Sequence, residues 1–340
     1  MGRSVGKCPL GRCPTPGHTT SPWGTIVAVP TRPEPSESLG AAHPASSGRL
    51  RALLRGLRPT QWTKNGAVLA GLIFAHRVGD LASIRATLLA ILAFCAISSA
   101  TYLGNDIVDR EADRRHPVKR NRPIASGELP VPLAIGAAVA LALGSLALSI
   151  YLGVGFTVCV LLYVAVQIAY SLVLKHLVIV DVFAIASGFV LRVIAGAVAI
   201  DVPISHWLQL CTLLLALFLA LAKRYAEVKL LADDAREHRP ILADYDPRLL
   251  DQLLSIVAAC AVLAYALYTV APETVSKFQG DRLKFTVPFV LFGLFRYLFL
   301  VHKRGSGGQP ERVLLRDRPT QVNLLLYVAV VAWAIYMKSA

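Results

Sequence analysis

A chain of 340 residues has length enough for two soluble domains, but its composition excludes them. Hydrophobic residues make up 55%, mean hydropathy is +0.56 and only 16% of residues are charged, against about 25% in an ordinary soluble domain. The net charge of +14 falls in loops between apolar stretches, a pattern that points to a membrane face and gives no reason to expect a nucleic-acid partner.

Residues 1–48 open the chain with 8 Pro, 7 Gly, 6 Ser and 5 Thr, a composition that cannot build a core and predicts a disordered extension. A start codon placed too far upstream is the other reading of this tail. Cys8 and Cys13 have no matching second pair, so zinc is not expected. No signal-peptide core is present there.

Nine apolar windows near the ~20 residues that cross a bilayer follow. They lie at roughly 65–80, 84–104, 130–152, 154–174, 177–199, 205–222, 253–272, 284–302 and 320–337. The first begins at Lys64 and ends among His76, Arg77 and Asp80, so it is the weakest of the nine. The break at 151–155 predicts a tight hairpin between the third and fourth. With the N-terminus inside, the inner segments carry 23 Lys and Arg and the outer ones 6, which predicts a cytoplasmic N-terminus by the positive-inside rule. Cys95, Cys159, Cys211 and Cys260 lie in the spans and read as small hydrophobes.

The second span runs into N-D-I-V-D-R-E-A-D at 105–113. Asp106, Asp109 and Asp113 are spaced three and four apart, so one helix would place them on one face. Three such carboxylates repel one another without a cation, and hard carboxylate oxygens suit Mg²⁺ with substrate phosphates. Arg114, Arg115, Lys119, Arg120 and Arg122 follow. Acid beside base at a membrane surface suggests a metal-bound diphosphate; an acidic helix end merging into a solvated loop is the bland alternative. His116 in this loop is a phosphate donor or an ordinary loop histidine.

Further polar residues mark the same side. Tyr170 and Lys175 close the fourth span, where headgroup contact competes with interfacial anchoring. Asp181 lies one turn into the fifth span, shallow enough to line an inner cavity. Arg192 lies eleven residues deeper on the same face, with a structural partner or a ligand as the two readings. Arg296 in the eighth span carries the same ambiguity. The sixth span ends at K-R-Y-A-E, 223–227, where Lys223 and Glu227 form either a helix-end ion pair or a second phosphate-facing cluster. Asp233, Asp234, Arg236 and Glu237 read as a solvated helix. No nucleophilic triad is visible, which suits an anionic nucleophile that needs no base; metal assistance and electrostatics would then carry the chemistry.

N-D-x-x-D-x-x-x-D followed by R-P-I-A-S-G at 122–127, in a nine-span bundle, resembles the UbiA superfamily of intramembrane prenyltransferases over about 49–340. The resemblance implies an all-α membrane fold, a nine-helix bundle with a central cavity open to the cytoplasm. It also implies a catalytic domain at 49–340, Mg²⁺ and diphosphate on Asp106, Asp109 and Asp113 beside Asn105, and Arg122 as the arginine of the basic loop with Lys119 and Arg120. Two features resemble the branch of decaprenyl-phosphate phosphoribosyltransferases. One is the R-P-x-Q-W-x-K-N run of Arg58, Pro59, Gln61, Trp62, Lys64 and Asn65. The other is K-R-Y-A-E in place of a second acidic motif.

That branch implies transfer of a phosphoribosyl group from phosphoribosyl diphosphate to polyprenyl phosphate at the inner face of the plasma membrane. Pyrophosphate would leave, and the product would feed cell-wall arabinan. Lys223 and Arg224 would hold the 5-phosphate, with Lys64, Tyr170, Lys175 and Asp181 lining the substrate. Glu227 would steady the charge at the anomeric carbon. Self-association into a homo-oligomer is compatible with this reading. The alternatives are an aromatic prenyltransferase, which would show the second acidic motif, and a transporter, which would show midplane polar breaks and internal repeats.

Overall fold

The computed structural model describes residues 46–117, 119–230, 244–304 and 316–336. The extension at 1–48, apart from its last residues, and the charges at 233–237 lie outside the described residues. A short helix, α1 (Ser46–Gly56), leads into a 3₁₀ segment (Pro59–Val68) and the six-residue α2 (Leu69–Phe74). Then come α3 (Leu81–Val108), α4 (Arg110–Arg115), α5 (Val131–Leu152), α6 (Val154–Leu172), α7 (Val180–Ala199) and α8 (His206–Leu230). The last four are α9 (Pro247–Val270), α10 (Pro272–Phe278), α11 (Val287–Arg304) and α12 (Arg318–Tyr336).

Among the described residues, eight helices are long and apolar enough to cross a bilayer. They match eight of the nine expected windows. The first window differs: it is not one α-helix but the 3₁₀ segment followed by α2. Glycine explains how so irregular a segment is accepted. A Cβ on Gly196 of α7 would stand 2.1 Å from the Val68 carbonyl oxygen, and one on Gly71 would stand 2.7 Å from the Ala197 backbone nitrogen. Backbone therefore packs on backbone, and the non-α segment is accepted because it is buried in protein.

The interior is apolar, but helix α5 turns its small polar residues inward and large apolar ones outward. On α5, Ser145 and Ser149 are fully buried, while Leu143 and Ile150 are more than 60% exposed. The Ser145 hydroxyl donates to the Ala93 carbonyl of α3 at 2.9 Å. Gly153, at φ 109°, is the whole link between α5 and α6, so the expected hairpin is present.

Arg192 has structural partners. It donates from Nε to Asn65 Oδ1 at 2.7 Å, from Nη1 to the Gly188 carbonyl at 2.8 Å and from Nη2 to Tyr163 Oη at 3.0 Å. The Tyr163 ring lies 4.6 Å below its guanidinium, so π-faces and neutral oxygens stabilise this cation. It pins the 3₁₀ segment to α6 and α7. Arg296 forks onto Asp317 at 2.8 and 3.0 Å, and Asp317 also accepts from the Thr320 amide and hydroxyl at 3.1 and 2.7 Å. The Arg296 guanidinium holds the Asp317 carboxyl well below the usual carboxylate range. This pair fixes the start of α12 against α11.

Gly196→Ala is expected to lower the unfolding free energy by about 2 kcal/mol or more, or to prevent accumulation, because no side chain can yield to relieve a backbone clash. Gly136→Ala, with nothing within 4 Å, is expected to leave the protein at least as stable. Thermal unfolding in detergent compares the two.

Candidate functional site

The aspartate motif straddles a helix junction. α3 ends at Val108, Asp109 is its C-terminal cap, and α4 begins at Arg110. Asp106 and Asp113 are each only 3% exposed. Arg58 Nη2 donates to both oxygens of Asp106, at 2.6 and 2.9 Å. Arg122 Nη1 reaches Asp106 at 3.0 Å and Asp113 at 2.6 Å. Asp109 is only partly buried and makes no side-chain contact of this kind among the described residues. Asp106 and Asp113 therefore converge on Arg122, while the Asp109 amide still bonds the Asn105 carbonyl at 2.9 Å and the Asp113 amide the Asp109 carbonyl at 2.8 Å, so the helical turn continues across the junction.

The basic loop is a welded turn. Ile124 and Ala125 are buried against α1 and α3, Gly127 takes φ 84°, and Arg114 Nε donates to the Ala125 carbonyl at 3.1 Å. This frame aims Arg122 at the aspartates. Arg58 is aimed by strain: it holds φ 53°, ψ 60°, a left-handed conformation costing roughly 1–2 kcal/mol. Its guanidinium lies over the Tyr102 ring at 5.0 Å.

Among the described residues no three acidic, His or Cys side chains are gathered closely enough to form a metal site. The converging pair still fits Mg²⁺ in donor chemistry. One guanidinium nitrogen bonds both carboxylates, so a single cation can bridge them, and Mg²⁺ takes one or two carboxylates with the remaining positions filled by water and phosphate.

The second cluster centres on Arg224, 1% exposed. Its Nε donates to Asp181 Oδ2 at 2.6 Å, Nη1 to Glu227, and Nη2 to Tyr170 Oη at 3.2 Å. The Tyr245 hydroxyl donates to the other Asp181 oxygen at 2.6 Å and accepts from the Ile179 amide at 2.7 Å. Burial, then the bond to Asp181, pushes the Tyr245 hydroxyl above the ordinary phenol range, so it remains a donor. Ile179 sits at φ 69°, strained for a β-branched residue, and that hydrogen bond secures it. Arg224 thus gives three of its five N–H donors to Asp181, Glu227 and Tyr170. Lys223 is free enough: its side chain is 43% exposed, with Nζ 3.9 Å from Glu227.

The clusters meet on α6. Ser171 donates to Asn105 Oδ1 at 3.1 Å, and its neighbour Tyr170 accepts from Arg224. Lys64 is half-buried in the 3₁₀ segment, Lys175 half-buried in the turn after α6, and Arg120 exposed. Lys119 bonds His116 Nδ1 through its backbone amide at 3.3 Å. Lys119, Lys175 and Arg120 stand outside the two networks.

Residues 66–316 match the UbiA prenyltransferase family. The chain belongs to that family. A decaprenyl-phosphate phosphoribosyltransferase of Mycolicibacterium smegmatis is 35% identical over 294 residues, covering 84% of this chain and 92% of that protein. One of Corynebacterium glutamicum is 37% identical over 290 residues, covering 84% and 87%. In fold, the UbiA protein is similar to a UbiA homologue of Archaeoglobus fulgidus solved with GPP and Mg²⁺. The TM-score is 0.64 at 20% identity, covering 84% of this chain and all of that one.

Arg58, Tyr245 and Ser171 are the parts of this UbiA site that sequence reading left without a role. Arg58 was visible within a motif, but a residue before proline is ordinarily extended, so nothing announced its left-handed turn toward Asp106. Replacing Arg224 with Met should strand the buried Asp181 carboxylate and cost about 3–5 kcal/mol. Lys223→Met should change stability by less than about 0.5 kcal/mol. Chemical denaturation of both variants checks the difference.

Proposed function

We propose that the chain transfers the 5-phosphoribosyl group from phosphoribosyl diphosphate to decaprenyl or a related polyprenyl phosphate, releasing pyrophosphate for cell-wall arabinan precursor synthesis. Its kinship to the mycobacterial and corynebacterial enzymes supports this. The structural observation that carries it is the neutralised second cluster. Asp181 and Glu227 are both committed to Arg224, so they make a poor second acidic site for a prenyl diphosphate. Beside them Lys223 offers a cation to a second phosphate end.

In the reaction an oxygen of the lipid phosphate attacks the anomeric carbon while that carbon's bond to the diphosphate breaks. The leaving diphosphate takes the bonding pair. The nucleophile is already anionic, so no proton need move. Asp106, Asp109 and Asp113 would hold Mg²⁺, which would offset the charge of the leaving diphosphate; a solved relative of the same fold was determined with GPP and Mg²⁺. Arg58 and Arg122 bond the Asp106 and Asp113 carboxylates and are placed to donate to the diphosphate beside them. Lys223 holds the 5-phosphate. Glu227 shares its charge with Arg224 and Lys223, so its role is to position Lys223. Asn105 and Tyr170 line the space between the clusters.

Residues 49–340 make the catalytic domain in this reading. The 3₁₀ segment and α2 would form the ninth crossing: at 2.0 and 1.5 Å per residue their combined rise is about 29 Å, close to a hydrocarbon core. The aspartate end would face the cytoplasm of the plasma membrane, as the loop charges favour.

Purified protein incubated with phosphoribosyl diphosphate, polyprenyl phosphate and Mg²⁺ should yield phosphoribosylated lipid by mass spectrometry. EDTA should stop the reaction and Mg²⁺ restore it. Lys223→Ala should raise KM for phosphoribosyl diphosphate about 10- to 100-fold, the effect of losing one charge-assisted hydrogen bond. Transfer of a prenyl group to an aromatic acceptor instead would refute the assignment. A cysteine at Ser126, exposed in the basic loop, should react with an impermeant reagent only from the inner face; labelling of intact cells would reverse the orientation.

A further inference from the structure

At the end of the bundle opposite the aspartates lies a cavity of about 310 Å³ between α2, the α7–α8 connection and α10. Its walls include Phe74, Ile204, Leu208 and Phe278. Two buried hydroxyl residues line it: Tyr268 at 7% and Thr274 at 5% exposure. Neither side-chain hydroxyl has a hydrogen-bond partner among the described residues. Tyr268 is held only by ring contacts, edge-on to Phe74 at 6.2 Å and tilted to Tyr265 at 6.0 Å. Neither oxygen is sealed off by protein, since the enclosed side-chain nitrogens and oxygens without a partner among the described residues are Arg49 Nε and Arg110 Nε; both hydroxyls are reached from the cavity and can donate into it.

Glu273 and Lys277 stand at the rim, one helical turn apart on α10. They are not ion-paired with each other or with any described residue. Lys277 is exposed and its ammonium lies 5.9 Å from the Phe278 ring. An open apolar groove adjoins the cavity, lined by Trp207, Leu267, Val270 and Pro272, and shares Glu273 with it.

One ligand matches all of these features. The cavity offers donors and a cation for a phosphate, an anion for an ammonium beside it, and a contiguous apolar groove for a chain. We propose that this site binds a zwitterionic phospholipid of the phosphatidylethanolamine class. The lipid phosphate accepts from Tyr268, Thr274 and Lys277, its ammonium faces Glu273, and an acyl chain lies in the groove beside Trp207. The site is remote from the aspartates and independent of the transferase reading.

The test is native mass spectrometry of the full chain in detergent, titrated with phosphatidylethanolamine. One saturable lipid is expected. Lys277→Gln and Glu273→Gln should each raise Kd about tenfold, the loss of one charged contact, and Tyr268→Phe about threefold, the loss of a neutral one. Both charged positions are exposed, so these variants keep the fold, and melting temperatures without added lipid verify that. Phosphatidylglycerol, which lacks the ammonium, should bind about tenfold more weakly than phosphatidylethanolamine. Unchanged Kd in the charge variants overturns the proposal. So does phosphatidylglycerol binding as tightly as phosphatidylethanolamine, or displacement of the lipid by an equal concentration of polyprenyl phosphate.

Discussion

A charge removed from water must be neutralised by whatever the fold places beside it, and in this bundle that requirement organises one whole end. The pairs there do not merely offset desolvation. Each arginine bonds acids or phenols carried on separate elements, so each is also a tie between them. Arg58 joins the 3₁₀ segment to α3, and Arg122 joins α3 to α4 and the basic loop. Arg224 joins α8 to α7 and α6. Because breaking one member of such a pair exposes the other's full burial penalty, the helices at this end are fixed in register by electrostatics. The other end is held by aromatic edges and hydroxyls, as between Phe74 and Tyr268 or Phe285 and Trp333.

This division places the anionic chemistry where fixed positive charge is concentrated. It also separates two kinds of arginine that look alike in a sequence. Arg58 and Arg122 are partly exposed, near 29%, and are placed to donate to a phosphate. Arg224 and Arg192 are buried and each bonds three protein partners, so each braces the helices around it.

Most of the fold was legible because bilayer thickness imposes its own length on a helix. Eight apolar windows needed no tertiary information, and Gly153 announced its own turn. The first window was misread as a helix because apolar length does not report rise per residue. Its 3₁₀ form depends on Gly71 and Gly196 meeting α7, a contact between residues far apart in sequence. The chemistry of the aspartate end was legible from residue type, but its geometry was not. A three-and-four spacing says nothing of the partners, and Arg58 and Arg122 reach Asp106 and Asp113 from other parts of the chain. Arg224 sat beside Lys223 with nothing in the sequence to distinguish them; only burial against Asp181 and Tyr170 does. Tyr245, next to residues outside the described chain, gave no local signal at all.

Gly153 has a consequence for how α5 and α6 can move. One residue extends the chain by at most about 3.6 Å, far too little for one helix of the α5–α6 pair to slide past its partner. The two helices are therefore tied into one antiparallel pair, and neither can shift far along the bilayer normal without the other.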